Sequence, residues 1–72
     1  MAMEWLRVAA QAGFQISQAN LAALLEGEYN SKPPSQRKSS AAAEIELWYK
    51  AAAKAGGEVG DAAQEALNRF KR

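Results

Sequence analysis

A chain of 72 residues has room for one small domain and no second one. It is 49% hydrophobic and 24% charged, with nine Lys and Arg against eight Asp and Glu, a net charge of +1. The sequence holds neither cysteine nor histidine, which excludes disulfide staples, Cys/His zinc sites, Cys and Ser–His nucleophiles and the usual near-neutral proton shuttle.

The apolar share overstates the core, because 17 of those residues are alanine and 18 are larger. A single core in so short a chain supplies roughly 3–5 kcal/mol, so burial shared with a partner is expected. No apolar run reaches the roughly 18 residues of a membrane span, and no basic-then-apolar leader opens the chain, so the expected setting is the cytoplasm and no membrane partner is expected. A net charge of +1 is far below that of a nucleic-acid coat, which leaves electrostatic recognition to a local patch.

Only the helical period recurs along the chain. Over Ala2–Ala12, Trp5, Val8, Ala9 and Ala12 share one face, Leu6 widens the stripe, and Gly13 supplies the left-handed stop. Ser17 reads as the next N-cap, with Ile16 and Leu21 at hydrophobic-staple spacing. Leu21, Leu24, Leu25 and Tyr29 continue that helix, which is expected to finish near Glu26 because Gly27 follows.

Asn30–Pro34 forms the internal linker of the single domain, since Pro33-Pro34 cannot lie inside a helix. A third helix is expected to start with Ser35 as N-cap or within the following turn and to run to Ala55, with Ala41, Ile45, Trp48, Ala52 and Ala55 on one stripe and Leu47 and Tyr49 flanking it. Glu46 to Lys50 is a favourable i,i+4 pair on it. Gly56–Gly60 then turns the chain back. Asp61 and Gln64 have capping-box spacing for a fourth helix, whose inner face is Ala63, Ala66, Leu67 and Phe70. Glu65 to Arg69 is a second i,i+4 pair, and Lys71 and Arg72 meet the negative end of the helix dipole. The expected fold is all-α: a compact bundle of about four helices closing with a C-terminal helical hairpin.

No catalytic, cofactor or metal site is expected. The acids are scattered or sit at i,i+2, where they point to different helix faces, and Gly56-Gly57-x-x-Gly60 follows a helix and lacks a P-loop lysine.

Two features carry recognition instead. The first is the basic cluster Lys32, Gln36, Arg37 and Lys38, which would suit a nucleic acid or an acidic partner. Gln18 and Ala22, four apart on the second helix, resemble the first half of the repressor-type helix-turn-helix pattern, which implies a reading segment at Ser35–Ser40. Glu26 stands where that pattern has glycine, and two prolines lengthen its turn. Arg37 and Lys38, in or beside a linker, are expected to be removable with little effect on folding.

The second feature is an excess of aromatics. Six rings exceed what an alanine-faced bundle of this size can bury, and Trp48 and Tyr49 point about 100° apart on a helix. One of the two is therefore expected outside, making a homodimer interface with Ile45 and Leu47. The expected function is that of a small non-enzymatic regulator that binds another protein, an inhibitor or adaptor of bacterial or phage type. The alternative is a small helix-turn-helix-like DNA-binding regulator.

Overall fold

The computed structural model describes residues 2–71, with side chains described from Glu4 onward. Helix α1 spans Ala2–Gln11. Gly13 ends it at φ +99°: the Gly13 N–H donates to Ala10 O and the Phe14 N–H to Ala9 O, both at 3.1 Å. That pair of bonds is a Schellman cap, and it needs the left-handed backbone that glycine takes without strain.

Helix α2 spans Gln15–Ser31, longer at both ends than the sequence suggests. It begins directly out of the Schellman turn, with extended Phe14 in the N-cap position and no side-chain cap, so Ser17 lies inside its first turn. It also runs through Gly27. A helical glycine costs about 1 kcal/mol against alanine, and here tertiary contacts outweigh it. Tyr29 packs edge-on against Phe70, with ring centroids 5.6 Å apart, and Arg37 caps the helix end from the connection that follows it.

The linker expected at Asn30–Pro34 is shifted: Asn30 and Ser31 belong to α2, the connection runs over residues 32–38 with one 3-10 turn at Pro34–Gln36, and α3 spans Ser39–Lys54. Of the two starts expected, at Ser35 or within the following turn, the structure takes the later one, because Arg37 and Lys38 stay extended while the arginine reaches back to α2. Helix α4 spans Gly57–Phe70. Its start precedes Asp61, because Gly56 and Gly57 adopt φ +80° and +73° and turn the chain within two residues. Gly60, buried in the first turn, then lies against the end of α3: a β-carbon there would stand 3.0 Å from Ala53 O and 3.3 Å from the Gln15 amide nitrogen.

The result is an all-α bundle of four helices among the described residues, with α3 central, α2 and α4 against it, and α1 packed on α2. Its core is Ala10, Leu21, Ala22, Ile45, Trp48, Tyr49, Ala52, Ala63 and Leu67. The ion pairs among the described residues are Arg7–Glu44 and Lys71–Glu46, so Glu46 meets α4 and not Lys50, and the Glu65–Arg69 pair is not formed. Arg72 lies outside the described residues.

Gly27 in α2 and Gly60 in α4 should respond oppositely to alanine. Nothing lies within 4 Å of a β-carbon at Gly27, so Gly27→Ala should raise stability by about 0.5–1 kcal/mol. Gly60→Ala should lower it, since its close neighbours are helix carbonyls that cannot move aside. Urea denaturation of the two variants checks the signs.

Tyr49 sets an alkaline limit. Burial, then donation of its hydroxyl to Glu26 at 2.6 Å, pushes its ionisation above the ordinary value of 10.0. A pKa raised on folding gives stability that is complete below the unfolded value and lost as pH rises above it. The urea midpoint should therefore fall as pH rises above about 10, and Tyr49→Phe should flatten that fall.

Candidate protein-binding face

The apolar arc of α1 is wider than one neighbour can cover. At 100° per residue, Val8, Ala12, Trp5, Ala9, Leu6 and Ala10 together span about 200°, roughly twice the stripe that one core contact requires. The fold uses one half. Ala10 is buried and Leu6 packs against the core, while Arg7, on the same inner side, binds Glu44 of α3. That contact sets the rotation of the helix about its axis. It also holds the Glu44 carboxyl below its ordinary range against the opposing effect of burial. The indole N–H of Trp48, one turn from Glu44, favours the ionised acid too, though it stops short of a full hydrogen bond.

The other half of the arc faces outward. Trp5 is 76% exposed and Val8 63%, flanked by Glu4, and Ala12 is also exposed. The stripe through Trp5, Val8 and Ala12 is thus the outer face of α1. Phe14, 64% exposed, is the residue that a Schellman cap sets beside the last turn carrying Val8 and Ala9. Its position extends the apolar face past the helix end. The sequence signal for this face is the excess width of the arc.

The four residues expected to form an interface on α3 fall elsewhere. Ile45 is fully buried, Trp48 is 9% exposed and Tyr49 4%, so both adjacent aromatics face inward and neither can meet a partner. The 100° between them is accommodated because α3 is central: neighbours stand on both sides of it. Leu47 alone of the four is exposed.

The basic cluster does come together: Lys32, Gln36, Arg37 and Lys38 line one concavity with Glu28 and Tyr29, but they differ in exposure and role. Lys32, Gln36 and Lys38 are exposed. Arg37 is half-buried and structural: its Nε donates to Tyr29 O at 3.0 Å and Lys32 O at 2.9 Å, its Nη2 donates to Asn30 O at 3.1 Å, and its guanidinium lies 5.5 Å from the Tyr29 ring centroid. The expectation that Arg37 is dispensable for folding is therefore corrected. The fold does bring Arg69 of α4 to the same cleft as Arg37, together with Tyr29, Phe70 and Glu26. Two helix C-termini, of α2 and α4, end there, and their dipoles and Glu26 offset the arginines.

Several acids are engaged within the fold: Glu26 accepts from Tyr49, Glu44 from Arg7, and Glu46 pairs with Lys71. Among the described residues no three acids gather into a metal-binding group, and no helix is long and apolar enough to cross a membrane. No family model, curated protein or solved structure matches the chain.

Arg37→Ala should cost about 1–2 kcal/mol through the lost cap and the lost stacking on Tyr29, whereas Lys38→Ala should stay within about 0.5 kcal/mol. Urea midpoints of the two variants distinguish the structural arginine from the surface lysine.

Proposed function

We propose that this protein is a small non-enzymatic regulator, of inhibitor or adaptor type, that acts by binding another protein through the outer face of α1. One observation carries the reading: Trp5, on the same face as Val8, is 76% exposed, and Phe14 at the far end of the helix is 64% exposed. A contiguous apolar patch of a few hundred square ångströms marks an interaction surface, and tryptophan is the side chain that interface hot spots favour. The engagement of Glu26, Glu44 and Glu46 in structural contacts supports a role without catalysis. A cytoplasmic setting goes with this reading.

The alternative, a duplex reader using Ser35–Ser40, draws on the shared cleft of Arg37 and Arg69. It is weakened because Arg37, the residue best suited to base edges, is held by its Nε and Nη2 against the end of α2. Titration with random duplex at low salt should therefore show no binding with a steep salt slope.

The direct test is affinity capture from cells that make the protein, with wild type and Trp5→Asp compared side by side. Trp5 lies outside the core, so the variant should keep its helical circular dichroism. Proteins held by wild type should be lost on the variant. Equal retention by both would remove α1 from the binding surface.

A further inference from the structure

Resting on the reading of the α1 face as a protein-binding surface, we infer that its resident occupant is a second copy of this chain. The two α1 helices pack antiparallel about a two-fold axis near Val8. Three observations select this occupant.

The first is where the apolar side chains lie. Inside the bundle the largest fully buried side chains are Leu21 and Ile45, while Trp5 and Phe14 stay outside. Domains of this size are marginal because they bury a small share of their surface. An occupant present wherever the chain is present supplies the missing burial continuously, and only the chain itself meets that condition.

The second is charge. Glu4 is the charged residue beside the exposed face, and Arg7 on its flank is bound to Glu44 within the same molecule. An axis at Val8 separates the two copies of Glu4 by eight residue rises, about 12 Å along the helices, beyond a Debye length of about 8 Å at physiological salt. The face does not repel its own image, and it offers no charge pattern for a different partner to read.

The third is shape and area. The axis at Val8 places each Trp5 indole at the height of Ala9 and Ala12 on the second copy, a large side chain against small ones. Counting aromatic side chains at about 150–250 Å² each, the exposed face amounts to roughly 450 Å² per copy. A pair then buries about 900 Å², just under the roughly 1,000 Å² that a stable interface clears, so the dimer is a weak, reversible one. A different protein binding this face would do so at the expense of the homodimer.

Sedimentation equilibrium of the purified chain from about 2 to 200 µM tests the inference. Wild type should pass from monomer to dimer across that range. Trp5→Ala should weaken association by at least about 30-fold, as loss of a hot-spot side chain does, while leaving the helical circular dichroism intact. Because the chain has no cysteine, Val8→Cys places a single thiol at the axis and should oxidise to a disulfide-linked dimer. Leu47→Cys, exposed on α3, should remain largely monomeric under the same conditions.

A wild type that stays monomeric at 200 µM overturns the inference, as does a dimer that persists in Trp5→Ala and fails to cross-link through Val8→Cys. The two readings fail separately. A monomer whose Trp5→Asp variant loses a captured protein keeps the regulator and overturns the homodimer. A dimer that cross-links at Val8 and captures nothing else keeps the homodimer and removes the second partner.

Discussion

Close approach between helices through small residues is the constraint on which this fold depends. Four of the nine core residues are alanine, and Gly60 lies so near Ala53 O and Ala52 O that a β-carbon would crowd them. Helices that meet this way have little volume between them, so aromatics enter only where a helix has neighbours on both sides. Helix α3, between α2 and α4, takes in Trp48 and Tyr49. The bundle measures 35 × 29 × 15 Å. Its 15 Å thickness leaves an exposed face on each helix, and on α1 that face carries Trp5.

Short connections follow from the same economy, and they leave helix ends in need of partners. Side chains from elsewhere provide them. Gln15 donates to Ala52 O at 2.8 Å and Gly56 O at 2.6 Å, fastening the start of α2 to the end of α3. Gln18 donates to Ala10 O at 3.1 Å, and Arg37 closes α2. Such carbonyls would otherwise lose water without gaining a partner, which costs about 1–3 kcal/mol each when buried. Polar residues that look available for recognition are in this way taken up by the fold.

What remains for function is what the fold leaves uncovered. Lys32 and Lys38 share one concavity with Arg37, whose Nε and Nη2 are turned to the C-terminal end of α2, while the α1 face is apolar with Glu4 at its edge. Recognition by burial of apolar surface fits that division better than recognition by phosphate contact. It also accounts for a chain that buries Trp48 and Tyr49 yet keeps Trp5 and Phe14 outside.

The helical period, the stop at Gly13 and the break at Pro33-Pro34 were legible in the sequence because each rests on local backbone chemistry: a repeat of 3.6, a left-handed glycine, a missing donor. These determined an all-α chain of four helices and its C-terminal hairpin. The end of α2 was not local: Gly27 is passed because Arg37 and the Tyr29–Phe70 pair act across the bundle. The starts of α2 and α4 precede Ser17 and Asp61 because the turns at Gly13 and Gly56–Gly57 are tighter than the capping residues suggest. The candidate site divided in the same way. The excess of aromatics over core volume was visible in composition, but which of them stay outside depends on which helix is central and how α1 is rotated. The Arg7–Glu44 contact and the packing of Leu6 and Ala10 turn Trp5 outward, and neighbours on both sides of α3 turn Trp48 and Tyr49 inward. Periodicity defines a face; only tertiary packing decides whether that face is covered.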